Sequence, residues 1–181
     1  MDFLAVGILG SLWGSFANVC IYRLPLKGGV VKGRSFCPKC KKKIFWYENI
    51  PILSYLILGG KCSKCKKKIS TQYLLVEAIS IFSFLIIYYL FGISLTTILL
   101  IILFLSFLII FFIDLKYYII PDILTFPMMV LGFIKSFDPN LNPIFPNYTN
   151  SLLGGIIGYG IIWLIIMFYK KIRNREGMGL G

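Results

Sequence analysis

Five stretches of this chain, residues 3–24, 73–91, 94–113, 123–136 and 151–169, are apolar almost throughout and carry at most one charge each. A helix rises 1.5 Å per residue, so about twenty apolar residues cross a hydrocarbon core of ~30 Å. Four stretches meet that length; residues 123–136 need help from Ile119, Ile120 and a flanking turn. Mean hydropathy is +0.84 and 58% of residues are apolar, against roughly 45–50% in soluble domains. That excess sits in the long runs. It predicts an all-α polytopic membrane protein with about five transmembrane helices.

The net charge of +12 is unevenly spread: twelve of the nineteen Lys and Arg lie between Lys27 and Lys68, with Glu48 the one acid among them. A basic patch of this kind suits nucleic acid in a soluble protein, but no nucleic-acid reader fold is visible. Beside spanning helices, the positive-inside rule makes it a cytoplasmic loop. No nucleic-acid partner is expected; the lipid bilayer is. The first apolar run precedes its positive charge, an order inverted for a cleaved signal and fitting a helix with its N-terminus outside. Continuing from there, Gly92-Ile93 forms an outer turn and the third helix returns inward to Asp114 and Lys116. Residues 138–150, free of basic side chains, lie outside, and the fifth helix ends inside at Lys170, Lys171 and Arg173. The expected organisation is a first helix at 1–24, a basic loop at 25–72 and a membrane domain at 73–181.

Small residues predict how the helices pack. Gly7, Ser11, Gly14 and Asn18 follow helical spacing along the first helix, with Gly10 and Ser15 adjoining, and Gly154 and Gly158 form a G-x-x-x-G in the fifth. Small side chains allow the close backbone approach that associates helices in lipid. No internal repeat is apparent.

The chain has no histidine, which excludes Ser-His-Asp, Cys-His and His-metal chemistry and leaves carboxylates as the acid–base groups. Cys37 and Cys40, then Cys62 and Cys65, form two Cys-x-x-Cys pairs separated by twenty-one residues, just beyond the usual zinc-ribbon spacing. In a reducing cytoplasm such pairs read as metal ligands before disulfides. Four thiolates suit a tetrahedral Zn²⁺, and Lys39, Lys41, Lys64 and Lys66 would offset its charge. A set of reduced cysteines is the alternative, and Cys20 is a small packing residue. Asp114 closes an apolar run, where a charge is costly and marks a functional site by default. It is otherwise an interfacial carboxylate paired with Lys116 or capping a turn. Asp122 follows Pro121, as at the first turn of a helix, where the dipole favours an acid. The two aspartates are eight residues apart, about 12 Å along a helix, too far to share a proton.

Several motifs together resemble a known family. They are the stretch from Gly14-Ser15-Phe16 to Arg23-Leu24-Pro25, then Glu48-Asn49-Ile50-Pro51 and Gly59-Gly60-Lys61-Cys62. Asp114 with Ile120-Pro121-Asp122 and Leu124-Thr125 follows, and Glu176-Gly177-Met178-Gly179-Leu180-Gly181 is last. The chain resembles the prepilin peptidases, intramembrane aspartyl proteases that process type IV pilins and pseudopilins in prokaryotic inner membranes. The resemblance implies that Asp114 is the first catalytic aspartate and that its partner is the aspartate of a G-x-G-D motif. Gly179 and Gly181 would be the remnant of that loop, in a chain truncated just before the second aspartate. In such a dyad only one carboxylate ionises; it takes a proton from the attacking water while the other polarises the scissile carbonyl. The resemblance also implies N-methylation of the new N-terminus with S-adenosylmethionine, a second activity associated with loop residues such as Glu48, Gly60 and Lys61. No Gly-rich Rossmann turn is present to show that site independently, and Glu48 serves equally as a salt-bridge partner for a nearby lysine. Glu77 fits the family pattern without an assigned role. Two readings stand: an enzyme of this family, and a non-catalytic truncated membrane protein with a structural zinc-binding loop.

Overall fold

The structure is a computed structural model that describes residues 3–26, 35–137 and 147–173. Its helices are α1 (Phe3–Arg23), α2 (Leu53–Ile57), α3 (Thr71–Phe91), α4 (Leu95–Tyr117), α5 (Asp122–Lys135) and α6 (Tyr148–Arg173). Among the described residues there is no strand, only two isolated β-bridges in the loop between α1 and α3. Four helices, α1, α3, α4 and α6, are long and apolar enough to cross a membrane. The remaining predicted span is α5, whose 14 residues cover about 21 Å, short of the ~30 Å core. Pro127 sits inside it and removes one of its hydrogen bonds.

The turn at Gly92-Ile93 forms as the sequence predicts. Gly92 ends α3 with φ +58, a conformation that costs glycine little, and its N–H donates to the Tyr88 carbonyl at 2.9 Å. Ser94 then caps α4 by accepting the Thr97 N–H at 3.1 Å.

The chain divides into two units after Ile119. In the first, α1 lies along α3, and both touch α4. A Cβ on Gly10 would stand 2.9 Å from the Ile81 Cα, and one on Gly14 would stand 2.8 Å from the Glu77 Cα. Glycine is therefore required at both positions for the two backbones to approach. The buried stripe of α1 is Val6, Gly10, Gly14, Ala17 and Ile21, with Asn18 and Cys20 beside it. The predicted Gly7–Ser11 edge flanks this line: a Cβ on Gly7 would meet only Ile81 Cγ2 at 4.0 Å, and the Ser11 hydroxyl donates to its own helix at the Ile8 carbonyl. Val6, Phe84 and Leu105 form the core of the three helices, with Leu85, Tyr88 and Ile101 against them. Large residues such as Phe82 and Phe107 point outward, as expected where the solvent is lipid.

In the second unit α5 touches α6. Asn147 caps α6, its Oδ1 accepting the Asn150 N–H at 3.1 Å, and the Phe137 and Tyr148 rings stack at 5.5 Å. Nothing lies within 4 Å of a Cβ built on Gly154 or Gly158, so this G-x-x-x-G has no partner among the described residues.

The loop between α1 and α3 contains a repeat that the sequence reading misses. Cys37-Pro38-Lys39-Cys40-Lys41-Lys42-Lys43-Ile44 recurs as Cys62-Ser63-Lys64-Cys65-Lys66-Lys67-Lys68-Ile69. Each copy makes the same hairpin. The first cysteine's N–H donates to Lys42 or Lys67, its carbonyl accepts from Lys41 or Lys66, and a β-bridge closes the base (Phe36 with Lys43, Lys61 with Lys68). Eight residues interrupted by an unrelated insert are too short for a repeat to stand out from lysine-rich composition.

Candidate functional site

Each hairpin turns on a lysine in the left-handed region, Lys41 at φ 59 and Lys66 at φ 57. The turn points backbone amides at the sulfurs. Those of Cys65 and Lys64 hold the Cys62 thiol below its ordinary 9.0, at about 6. The two hairpins face each other and bring all four Sγ atoms within 4.8 Å of one another. Cys37 lies 4.0 Å from Cys65, and Cys40 lies 3.9 Å from Cys62. A tetrahedral ion with Zn–S bonds of about 2.3 Å needs sulfurs about 3.8 Å apart. The predicted tetrad is therefore assembled as a cluster able to hold a metal such as zinc.

Glu48 stands beside this cluster. Its carboxylate accepts from the Lys42 ammonium at 2.8 Å and from the Phe45 amide at 3.1 Å, and Lys42 also donates to the Ser63 hydroxyl at 2.7 Å. The bond from Lys42, followed by those from Ser63 and the Phe45 amide, holds the Glu48 carboxyl at about 2, below its ordinary 4.5. The salt bridge to a neighbouring lysine is thus the interaction present, and it ties the insert to both hairpins. Gly60 is left-handed at φ +64, and a Cβ there would stand 3.0 Å from the Tyr55 ring. Lys61 begins the second hairpin through its bridge to Lys68.

Below the hairpins the loop covers the ends of α1 and α3, leaving a cavity of about 500 Å³. Tyr22, Tyr55 and Tyr73 line it together with Asn18, Glu48 and Glu77. Asn18 is 3% exposed; its Nδ2 donates to the Tyr73 carbonyl at 3.1 Å, while its Oδ1 has no partner among the described residues. Glu77 is buried in α3. It accepts the Ile52 N–H at 2.7 Å and a bond from the Ser15 hydroxyl of α1.

Ile52 itself has φ 60 and ψ −53, and the Leu53 N–H donates to the Pro51 carbonyl at 2.6 Å. That is the rare γ-turn of positive φ, an outlier for a β-branched residue and costing on the order of 1–3 kcal/mol. The Glu77 carboxylate offsets this strain by engaging the one N–H the turn turns outward. In the sequence alone Glu77 fits the family pattern but has no visible task. The available signal was a lone acid inside an apolar helix, which demands a partner.

Asp114 lies elsewhere. It occupies the last turn of α4, exposed, and the helix stops when left-handed Tyr118 donates its N–H to the Asp114 carbonyl at 2.9 Å. Among the described residues nothing pairs with its carboxylate; Lys116 instead places its ammonium 5.1 Å from the Tyr117 ring centroid and lines the loop cavity. Asp122 begins α5 directly after Pro121, as the helix-start reading expects. Gly179 and Gly181 lie outside the described residues.

The family model for the bacterial peptidase A24 N-terminal domain matches residues 8–91, and that for the type IV leader peptidase family matches residues 99–181. The chain is 35% identical to a prepilin leader peptidase/N-methyltransferase of Neisseria gonorrhoeae, covering 96% of this chain and 68% of that protein. It is 36% identical to a protein of the same description from Vibrio cholerae, over 96% of this chain and 70% of the other. With that of Pseudomonas aeruginosa it shares 33% identity, over 96% and 67%. No solved structure matches.

Proposed function

Because the chain belongs to the type IV leader peptidase family, we propose that it removes leader peptides from prepilins or pseudopilins at the cytoplasmic face of a prokaryotic inner membrane. Asp114 is one carboxylate of the catalytic pair. The observation that supports this role is its place: an exposed acid in the last turn of a spanning helix, unpaired among the described residues. In the family the partner is the aspartate of a G-x-G-D motif, whose first three positions match Gly179-Leu180-Gly181. Leader removal by an Asp114→Asn variant, followed as a gel shift of co-expressed prepilin, tests the assignment.

The orientation follows from charge. The loop between α1 and α3 carries twelve of the nineteen Lys and Arg and belongs on the cytoplasmic side. Cysteines placed at Ser35 and Asn147 report the two faces. An impermeant thiol reagent on intact cells is expected to label position 147 and not position 35; the reverse pattern would overturn the topology.

The four cysteines hold one structural Zn²⁺. The purified protein is expected to carry about one zinc per chain by elemental analysis, and serine at Cys37, Cys40, Cys62 or Cys65 should lower it. Structural sites of this kind contribute folding free energy outright, with apparent binding of ~10–16 kcal/mol in small zinc domains. Unchanged thermal stability after the metal is stripped would count against this role.

The loop cavity is the proposed place for methyl transfer. Its volume of about 500 Å³ suits a cofactor-sized ligand; Asn18 Oδ1, without a partner among the described residues, and the three tyrosines offer polar and aromatic contacts, and basic side chains such as Lys42 and Lys116 line it with Glu48 and Glu77. S-adenosylmethionine, when bound, supplies an electrophilic methyl group for the substrate's new amine. Gly60→Val would push the Tyr55 ring toward the cavity from an already left-handed backbone. The expected product is a cleaved pilin with an unmethylated N-terminus, read by mass spectrometry. A methylated product from this variant would remove the cavity from the reaction.

A further inference from the structure

No charged residue stands between Glu48 and Lys61, although the rest of the loop is densely basic. That segment holds α2, and its side chains divide by face. Tyr55 and Leu58 line the cavity, while Leu53, Leu56 and Ile57, at helical spacing, point away from the protein with 56%, 62% and 82% of their surface exposed. In water such a patch would cost roughly 25 cal/mol for each Å² left uncovered.

Depth settles what covers it. Ile52, one residue before α2, is bonded to Glu77, which lies six residues into α3, about 9 Å past its first residue. The same carboxylate meets Ser15, eight residues before the end of α1, about 12 Å along that helix. The segment is therefore drawn down beside two spanning helices and does not stand off in the cytoplasm. The two helices themselves expose apolar side chains near these bonds, such as Leu75 at 52% and Phe16 at 42%. Phe45, Trp46 and Tyr47, half or more exposed, precede it, and Lys64 and the run Lys66–Lys68 follow. Aromatic side chains at one edge and lysines at the other are what a bilayer interface with anionic headgroups selects.

We infer that residues 50–58 form a monotopic membrane anchor, with the outer face of α2 seated in lipid acyl chains beside α1 and α3. The metal loop is then fastened to the bilayer as well as to its two helices, and the cavity lies at the membrane surface.

Tryptophan quenching in vesicles of anionic lipid tests this on the full gene product. Trp13, Trp46 and Trp163 are replaced by Phe, and a single reporter is introduced as Ile57→Trp or, on the second hairpin, Lys64→Trp. The residue-57 reporter is expected to lose most of its emission to lipids brominated on their acyl chains. The residue-64 reporter should respond instead to aqueous iodide. A residue-57 reporter quenched by iodide and untouched by bromolipid would overturn the anchor. So would one shielded from both, which means that a second copy or another protein covers α2. In the unsubstituted protein, a photoactivatable lipid probe is expected to mark residues 53–57 along with α3. Marking of α3 without α2 overturns the anchor whatever the variants do.

Discussion

Asp114→Asn is expected to abolish leader removal while leaving the protein folded and in the membrane. Asn is nearly isosteric and can donate a hydrogen bond, but it cannot cycle between carboxylate and acid. Acid–base assistance contributes roughly 10²–10⁴-fold, and groups acting as a pair lose more together than their separate shares suggest. A fall of at least ~10³-fold is therefore expected, below detection on a gel. The side chain is exposed and pairs with nothing among the described residues, so the thermal midpoint should scarcely move. Asp122→Asn is the control. Asp122 starts α5, where its loss costs a helix-dipole interaction of roughly 0.3–1 kcal/mol and leaves appreciable cleavage. Wild-type rates from Asp114→Asn, or none from Asp122→Asn, would reassign the dyad.

The second large effect is on stability. Gly14→Ala puts a Cβ 2.8 Å from the Glu77 Cα and 3.0 Å from the Ser80 side chain. The first of these is backbone, so α1 and α3 must separate. Overpacking of this kind costs about 1–3 kcal/mol, or roughly 2–4 °C of midpoint for each kcal/mol at this chain size. Parting the helices also pulls Glu77 from Ile52, so methylation should fall with stability. Gly7→Ala, whose Cβ meets only a methyl at 4.0 Å, should be neutral or slightly stabilising, because alanine is the better helix former. Equal midpoints for the two variants in thermal scans would refute the close contact at Gly14.

The spanning helices were legible because length and continuous apolarity are one-dimensional properties. The metal tetrad was legible for a similar reason, since Cys-x-x-Cys fixes two ligands locally and only the meeting of the pairs needs the fold. What escaped was relational. Gly7 and Gly10 read alike as small residues on α1; only the position of α3 decides that Gly10 and Gly14 carry the contact. Glu77 had a visible oddity but no visible partner, because Ile52 is twenty-five residues away and offers a backbone N–H, which no sequence pattern advertises. α5 is shorter than a full span among the described residues, and Pro127 stands inside it.

An ion held by the paired hairpins would also make the loop a ring. Cys40 and Cys62 enclose twenty-one residues, and an ion between them would act as a cross-link. Closing a loop of that length removes about 3 kcal/mol of chain entropy from the unfolded ensemble. The ring is pinned a second time, near its middle, where Ile52 meets Glu77. Two short arcs thus replace one long one, and each has far fewer conformations to lose. Tension is shared between pins: releasing the ion should loosen the Ile52 turn, and Glu77→Gln should raise the rate at which the ion exchanges with a chelator.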